Sequence, residues 1–528
     1  MLIQKYRTLI VCLLAGMLYA LGFPLFNGSS FFIAPIIGFA LFNWALDQET
    51  TLKKQFILSI AYSLGFYLAG FYWIPHLLTE FGGLPFPLNQ VLGLVFSFVI
   101  IPQVYCYVAL KRKIKHPLFL AVGYVLLERF IPQQFPAHIG HSFLSLAPTV
   151  KLVFAPWAGA AFYSFFTALT ALTLVQHYQT KVKPKLYYGF IALIIFIHIP
   201  FSVMNSKDQA TTDLNIRIVQ PNIGNFIKID SERGGRNSLN SVFESYYFLS
   251  TDKIQTPRDL IIWPETAFPS LFFSETMLNN KSFQLPKLMN DILSQTGAEL
   301  FVGGYDSSPP SDIKNYQSDY NTAFHFSNEL YLKNVYHKMR LIPFGEGLPF
   351  GPLNKYLSSI ITNISYFAEG DKFTGFTTKN NLNFVSVICY EVLFPSFVAD
   401  MLNAQDIDHE AQFLINLTND SWYGDTAEPH QHLFLTKWRA LEFNLPLIRS
   451  TNTGITTVIY PDGSETKRLG VGEKTYLDLD LKIAPRTKTL FQILGIWSFL
   501  GIAILLGLVE LAFKRKAFFQ EIVKTNKA

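Results

Sequence analysis

Three short stretches of the sequence place chemically reactive side chains directly after apolar runs. LIIWPETAFP carries Glu265, YHKMRLIPFGEGLPF carries Lys338 and Glu346, and VSVICYE carries Cys389. A cysteine thiolate can attack a carbonyl carbon, and a neighbouring base or cation favours the thiolate. A carboxylate beside Trp at the end of a buried strand can act as the general base, and a lysine can stabilise an oxyanion. These residue types predict nucleophilic catalysis at a carbonyl carbon.

Each of these residues also has an ordinary structural interpretation. Glu265 could sit at the start of a helix that follows it, Lys338 could be a surface cation, and Glu346 could belong to a turn. A single cysteine after an apolar run is more often packed than reactive. Taken one at a time, the stretches leave both interpretations open, so the case for catalysis rests on their occurring together.

The elements that would position these residues form an α/β domain within the polar block 213–480. Continuously apolar runs such as NIRIVQ and FLINLTND are typical of strands buried on both faces, and helical stretches such as QHLFLTKWRALEFN separate them. The glycine pair at 303–304 is interpreted as a turn. His430 and His432 lie two positions apart and do not share a helical face. The sequence therefore predicts no metal site.

The composition indicates a membrane protein that carries this α/β domain. Half of the 528 residues are hydrophobic and 15% are charged, with 50 Phe and 25 Tyr. Three cysteines are too few for a disulfide framework. The formal net charge of +5 is small for this length, and the basic residues lie beside apolar segments rather than on one polar face. This distribution argues against nucleic-acid binding.

Long apolar runs predict eight transmembrane helices. They lie near residues 8–23, 31–46, 56–78, 88–110, 117–131, 153–176, 186–203 and 489–512. Positive charge is retained in short cytoplasmic loops, and here every second link carries a basic cluster. The clusters lie at 53–54, 111–115, 181–185 and 514–516. With the N-terminus inside, this alternation predicts that the polar block lies outside the membrane.

Three domains follow from this topology. The sequence predicts a membrane domain of seven helices at 1–204 and an extracytoplasmic catalytic domain at 205–485. A C-terminal transmembrane helix with a cytoplasmic tail is predicted at 486–528. Both termini are therefore expected in the cytoplasm.

The motifs WPETAFP, YHKMRLIPFGE and ICYE, in this order and spacing, resemble the Glu, Lys and Cys motifs of the nitrilase, or carbon–nitrogen hydrolase, superfamily. The longer run at 417–463, together with the eight predicted helices, is similar to the apolipoprotein N-acyltransferase family in particular. The resemblance is dense from about 214 to 463. In the membrane part it rests on topology and on the stretch FPAHIGHSF.

The resemblance implies a four-layer α-β-β-α sandwich on a polytopic membrane α-helical bundle. It implies that Cys389 is the nucleophile, Glu265 the general base and Lys338 the oxyanion stabiliser. The supporting residues that it implies are Glu346, Tyr390 and Glu391. The implied reaction moves an acyl chain from a membrane phospholipid, through a Cys thioester, to the α-amine of the S-diacylglyceryl-cysteine that begins a lipoprotein. No cofactor is implied, and we expect a monomer in the bacterial cytoplasmic (inner) membrane with a periplasmic catalytic domain.

Substrates held in the bilayer require an apolar mouth to the site. The stretches FPSLFF and LPFGPL follow catalytic motifs, and we predict that Phe272 and Phe350 enter the membrane and admit acyl chains. Trp422 in NDSWYG is predicted to shape the pocket, with a structural turn as the alternative. Family members commonly have Trp where this chain has Ile229, which leaves substrate handling at that loop open.

Two other classes of protein remain open from the sequence. A membrane-bound amidase of the nitrilase type would use the same residues with water as the acceptor, although seven preceding helices are more than a tether needs. A non-catalytic lipoprotein-binding factor would keep the fold, but it has no reason to keep the four reactive residues together.

Overall fold

The computed structural model describes residues 6–80, 82–203, 211–254, 256–307, 319–359, 365–406 and 409–525. The chain divides into two compact units. The first, the helical unit, holds Met1–Tyr72, Gln90–Asn205 and Thr489–Ala528. The second, the α/β unit, holds Trp73–Asn89 and Ser206–Lys488. The predicted domain boundary at 204/205 lies outside the described residues.

The helical unit is built from apolar helices that pack through small residues. The helices span Arg7–Ala20, Ile33–Asp47, Leu52–Gly70, Gln103–Lys113, Pro117–Phe130, Ala155–Thr180, Lys185–Val203, Leu490–Leu494 and Trp497–Thr525, with a 3₁₀ helix at Ile139–Leu146. A Cβ atom on Gly16 would lie 1.9 Å from the carbonyl oxygen of Tyr62 in a neighbouring helix. Glycine is therefore required for this close approach, which is typical of helices that pack within membranes.

The helices differ from the predicted spans. Within the described residues, Ala155–Thr180 and Trp497–Arg515 are long and apolar enough to cross a membrane. Leu52–Gly70 and Ile74–Glu80 would add a third crossing if they formed one bent span. The count of eight spans therefore stays a prediction.

Prolines and a glycine explain where predicted continuous helices are interrupted. The run at 56–78 is broken before Ile74–Glu80, because Pro75 lacks the N–H that a continuing helix needs. The run at 88–110 splits into Leu88–Phe96 and Gln103–Lys113, since Pro102 disfavours helix at the residue before it. The last run, at 489–512, is interrupted by Gly495, whose φ is +55°. The helix is thus interrupted within each of these three runs, and their crossing of the membrane stays a prediction.

Two β-sheets form the centre of the α/β unit. Among the described residues the strands are β1 (Thr212–Gln220), β2 (Leu260–Ile262), β3 (Leu271–Phe272), β4 (Glu299–Asp306), β5 (Tyr320–Phe326), β6 (Leu332–His337), β7 (Gly375–Thr377), β8 (Asn383–Ile388), β9 (Phe413–Thr418), β10 (Leu447–Thr451), β11 (Thr457–Ile459) and β12 (Thr475–Ile483). The seven-stranded sheet has the order β12-β1-β2-β4-β5-β6, with β3 paired to β4, and the five-stranded sheet has the order β11-β10-β9-β8-β7. Strands β1, β2 and β4 are parallel, as are β8, β9 and β10.

Helices cover the outer face of each sheet. Those of this unit span Ile74–Glu80, Asn225–Glu232, Arg236–Thr251, Ser274–Asn279, Lys287–Thr296, Asn354–Leu357, Pro395–Asn403 and Glu428–Phe443. Tyr246 and Met289, from two of these helices, share one hydrophobic core with Trp263 after β2. The last two helices pack on the five-stranded sheet. Since the sheets face each other, the layers follow the predicted α-β-β-α order.

Aromatic rings fill the space between the sheets. The ring of Phe301 in β4 lies 5.3 Å from that of Phe384 in β8 and 5.1 Å from that of Phe376 in β7, between ring centroids. All three side chains are buried. Each such ring removes a large apolar surface from water, so this layer contributes strongly to holding the sheets together.

The glycine pair at 303–304 lies inside β4 and is not a turn. A Cβ atom on Gly303 would lie 2.3 Å from the carbonyl oxygen of Pro264 and 2.7 Å from Cα of Glu265. A side chain at Gly303 would not fit, because the chain that follows β2 packs closely against β4 at this point.

Candidate active site

Glu265 follows β2 in a tight bend over β4. The backbone N–H of Ala267 donates to the carbonyl of Gly303 at 2.8 Å, and Thr266 has a φ of +48°, which non-glycine residues seldom adopt. The carboxylate of Glu265 is buried and accepts a hydrogen bond from Nδ2 of Asn321 at 2.8 Å. The bend therefore holds one carboxylate in a fixed orientation away from bulk water.

Lys338 follows β6 and is fully buried between two carboxylates. Its Nζ lies 3.3 Å from the carboxylate of Glu265 and 2.8 Å from that of Glu346. Burial by itself lowers the pKa of Lys338, but Glu346 and Glu265 raise it above its usual range. Asn321, which the sequence analysis missed, donates from Nδ2 to both carboxylates. Lys338 is therefore a cation at neutral pH, held in place from two sides.

Cys389 follows β8 at a sharp elbow, where its φ is +51°. In a non-glycine residue this backbone conformation costs about 1–3 kcal/mol and is frequent at functional sites. Burial raises the pKa of the Cys389 thiol well above its usual range, Glu265 raises it further, and Lys338 opposes the rise. The three side chains thus act on one another, and the sulfur can attack only after a base removes its proton.

Glu391 ties the elbow at Cys389 to the chain that follows Lys338. Its Oε1 accepts hydrogen bonds from the Tyr336 hydroxyl and from the backbone N–H groups of Met339 and Arg340, at 2.8–3.0 Å. Its Oε2 accepts from the backbone N–H of Ile388 at 2.8 Å. Burial raises the pKa of Glu391 to about 7, while the hydrogen bonds from the backbone oppose the rise. All four of these partners are donors, so they favour the ionised form of the carboxylate against the effect of burial.

Tyr390 follows Cys389 and is a buried neutral phenol. Burial raises the pKa of Tyr390, and Arg340 opposes the rise. Its ring lies edge-to-face on Phe394, with 4.8 Å between ring centroids, while the guanidinium of Arg340 lies 3.8 Å from the centroid of Phe394. Tyr390 therefore joins the elbow to the chain after Lys338.

The residues predicted to meet the substrate have different environments. Phe272 is 3% exposed and packs on Phe324 in the hydrophobic core, so its predicted entry into the membrane is wrong. Side chains alternate along β3, and Leu271 is the exposed neighbour. Phe350, in contrast, is 45% exposed, and Trp422 is half-buried in the loop after β9.

A buried charged cluster adjoins Cys389, and its Arg449 and Asn416 were not singled out from the sequence. Nη2 of Arg449 donates to Asp420 at 2.9 Å, and Nη1 donates to Oδ1 of Asn416 at 2.7 Å. Nδ2 of Asn416 in turn lies 3.5 Å from the carbonyl oxygen of Cys389. Arg449 lies within the otherwise uncharged run PLIRST. A cation inside a predicted buried strand indicates a buried anionic partner, and this feature of the sequence pointed to the cluster.

Three residues of this region bring metal-ligating atom types together. Ligand atoms of Asp420, Glu428 and His432 all lie within 4.8 Å of one another. Nδ1 of His432 is 3.2 Å from Asp420, whose other oxygen is bound by the guanidinium of Arg449. A fixed cation at this distance repels a metal ion and neutralises the carboxylate that would bind it. The donor set therefore fits a buried ion-pair cluster.

Comparisons with known proteins match two parts of the sequence to family models. Residues 230–488 match the family model for carbon-nitrogen hydrolases, and residues 15–173 match that for the apolipoprotein N-acyltransferase N-terminal domain. Among solved structures, the chain is similar to Saccharomyces cerevisiae Nit3, a member of branch 10 of the nitrilase superfamily. That likeness has 17% identity and a TM-score of 0.34, and it covers 52% of this chain and 93% of Nit3. The α/β unit is thus of the carbon–nitrogen hydrolase class by its sequence match.

The matches to similar sequences extend over both units of the chain. The apolipoprotein N-acyltransferase of Bdellovibrio bacteriovorus is 30% identical over 495 residues, which cover 89% of this chain and 88% of the relative. That of Rickettsia typhi is 27% identical over 511 residues, covering 94% and 96% respectively. That of Haemophilus ducreyi is 26% identical over 505 residues, covering 93% and 94%. The chain belongs to the apolipoprotein N-acyltransferase family.

Proposed function

We propose that this chain transfers an acyl chain from a membrane phospholipid to the α-amine of the S-diacylglyceryl-cysteine at the N-terminus of lipoproteins. The observation that carries the proposal is the buried cation of Lys338, held by Glu265 and Glu346 and acting on the thiol of Cys389. This combination supplies a nucleophile, a base and a positive charge for an oxyanion. The relatives, which match both units, carry the name of this reaction.

The first half-reaction forms a thioester on Cys389. Glu265 takes the proton from the thiol, and the sulfur attacks the carbonyl carbon of a phospholipid ester. Lys338 stabilises the negative charge that develops on the carbonyl oxygen. The bond from carbon to the glycerol oxygen then breaks, and that oxygen takes the proton from Glu265. A lysophospholipid leaves, and the acyl chain stays on Cys389.

The second half-reaction transfers the acyl chain to nitrogen. The neutral α-amine of the acceptor attacks the thioester carbon, and Glu265 takes the proton that the nitrogen loses. Lys338 again faces the oxyanion, after which the bond from carbon to sulfur breaks and an amide remains. The proton on Glu265 returns to the Cys389 thiolate. Protons and electron pairs balance with the two substrates alone, so the proposal includes no cofactor.

The membrane arrangement belongs to the same proposal. Charge alternation along the sequence supports cytoplasmic termini and an extracytoplasmic α/β unit, with domains at 1–204, 205–485 and 486–528. Both substrates are anchored in the bilayer, so a monomer in the bacterial cytoplasmic membrane would meet them by lateral diffusion. We assign Phe350 and Trp422 to the apolar entrance of the site.

The proposed function is tested with the purified full-length protein in vesicles whose phospholipid carries a labelled acyl chain. A synthetic S-diacylglyceryl-cysteine peptide is the acceptor, and the same peptide with an acetylated α-amine is the control. The expected result is one labelled acyl chain on the α-amine of the free peptide, read by mass spectrometry, and none on the acetylated peptide.

Two results would contradict the proposed function. Release of labelled fatty acid at the same rate with and without the free peptide identifies a hydrolase that uses water. Absence of both amide and fatty acid, when the peptide still binds, identifies a non-catalytic lipoprotein-binding protein.

Replacing Phe350 with Ser is expected to raise the KM for phospholipid about five-fold and to change kcat little. Phe350 is exposed and adjoins Phe344, with 5.9 Å between ring centroids, on the same chain segment as Glu346. Covering part of such a ring with an acyl chain contributes about 1 kcal/mol to the free energy of phospholipid binding. The measurement is the initial rate of peptide acylation against phospholipid mole fraction.

The matched control is Phe248→Ser, which removes an exposed phenylalanine from the helix Arg236–Thr251. This control should leave the KM unchanged. If Phe350→Ser and the unaltered protein have the same KM for phospholipid, Phe350 is not part of the entrance.

A further inference from the structure

A buried hydroxyl group lies next to the nucleophile on the five-stranded sheet. Strands β8 and β9 are parallel, with Ile388 opposite Leu417, so the next residues in register are Cys389 and Thr418. Thr418 is completely buried at the carboxyl end of β9. It therefore approaches the sulfur from the neighbouring strand, whereas Glu265 and Lys338 come from the other sheet.

The Thr418 hydroxyl has two possible acceptors. Its Oγ1 donates to Oδ1 of Asp420 at 3.2 Å, and the register of β8 and β9 places it beside Cys389, where it lowers the pKa of the thiol. A hydroxyl carries a single proton, so it can donate to Asp420 or to the sulfur but not to both at once. The choice depends on which acceptor carries more negative charge.

Asp420 keeps other partners when the hydroxyl turns away from it. Arg449 donates to its Oδ2 at 2.9 Å, and Nδ1 of His432 lies 3.2 Å from its Oδ1. Burial alone would raise the pKa of Asp420, but Arg449 and His432 hold it below its usual range. Asp420 is therefore an anion at neutral pH that can gain or lose the hydrogen bond from Thr418 without being left unpaired.

We propose that the Thr418 hydroxyl is a switching hydrogen-bond donor of the active site. It donates to Asp420 while the sulfur carries a proton or an acyl chain, and it donates to the sulfur whenever Cys389 is a thiolate. No covalent bond changes in the switch, because the hydroxyl only rotates. The inference rests on the proposed role of Cys389 as nucleophile, and it adds a donor for the leaving thiolate of the second half-reaction.

This donor acts together with the groups already described around the thiol. Glu265 and Glu346 disfavour the thiolate, and Lys338 favours it. Tyr390 and Tyr423 also interact with Cys389, and burial raises the pKa of both phenols. Because these groups are unchanged when only the Thr418 hydroxyl is removed, a shift in thiol titration then reports on that hydroxyl.

The test measures alkylation of Cys389 by iodoacetamide in the full-length protein from pH 7 to pH 11, because the pKa of this thiol lies above its usual range. The peptide that contains Cys389 is quantified by mass spectrometry, in a Cys106→Ser background because Cys106 is exposed. Thr418→Val is expected to move the titration midpoint to higher pH and to lower the alkylation rate at pH 7.5 about ten-fold. Thr418→Ser, which keeps the hydroxyl, should stay within about two-fold of the parent.

Thr457→Val is the matched control, since it removes a buried hydroxyl from β11 of the same sheet. It should leave the midpoint unchanged. If Thr418→Val does not fold, as judged by near-ultraviolet circular dichroism, Thr418→Ala carries the same expectation. An unchanged midpoint in a folded variant without the hydroxyl overturns the inference.

Acyl trapping separates this inference from the proposed function. Suppose that labelled phospholipid acylates Cys389 in the parent but the titration midpoint of Thr418→Val or Thr418→Ala is unchanged. The proposed role of Thr418 is then wrong, whereas the proposed role of Cys389 as nucleophile is kept. If Cys389 is never acylated in the parent, the proposed function fails and the inference fails with it.

Discussion

Replacing Cys389 with alanine is expected to lower the rate of acyl transfer by at least about 10⁴-fold. Alanine cannot form a thioester, and in the proposed mechanism Glu265 and Lys338 only move a proton and hold a charge. The measurement incubates the protein with labelled phospholipid and no acceptor, then denatures it. Label is expected on the peptide with Cys389, and hydroxylamine should release it as it releases thioesters.

The control for this prediction is Cys106→Ser. Cys106 is exposed and belongs to the helical unit, so its removal should leave both trapping and transfer unchanged. Trapped label on a residue other than Cys389, or normal transfer by Cys389→Ala, would show that the nucleophile lies elsewhere.

Replacing Lys338 with methionine is expected to lower kcat/KM by about 10³-fold. Methionine preserves much of the side-chain volume but removes the charge that faces the oxyanion in both half-reactions. The change also leaves the carboxylates of Glu265 and Glu346, which share the Asn321 donor, without a counter-charge, so a proton on one of them is favoured. A base that already holds a proton cannot accept one from Cys389. The acidic limb of the pH–activity profile should therefore move toward higher pH.

Lys333→Met provides a matched control in β6, the strand that Lys338 follows. Nζ of Lys333 lies 2.7 Å from the buried carboxylate of Glu299, so its loss also removes a cation from beside a glutamate in the seven-stranded sheet. Both variants should melt at lower temperature than the parent, but only Lys338→Met should lose activity and change its pH profile. Equal losses of activity in the two variants would assign Lys338 a structural role alone.

The α/β domain could be predicted from the sequence because its strands are short apolar runs that end in polar residues. The same pattern marks Glu265 and Cys389 at strand ends, and their proximity to Lys338 could be anticipated from it. Their catalytic roles stay predictions. The strained φ angles at Thr266 and Cys389 could not be foreseen, since neither residue type favours that conformation.

Other features depend on pairings that a single sequence does not display. Phe272 was misassigned because FPSLFF is apolar throughout, and only the pairing of β3 with β4 shows which ring turns inward. Thr418 becomes a neighbour of Cys389 only through the register of β8 and β9, across about 30 residues of chain. Asp420 and Arg449 are joined in the same way, by the parallel pairing of β9 with β10.

The two sheets contribute different halves of the active site. Glu265 and Lys338 follow strands of the seven-stranded sheet, whereas Cys389 follows a strand of the five-stranded sheet. The rings of Phe301, Phe376 and Phe384 occupy the space between them. The distance from Cys389 to Glu265, the proposed nucleophile and base, therefore depends on the thickness of this aromatic layer. Uncharged residues thus set the spacing on which the proposed proton transfer depends.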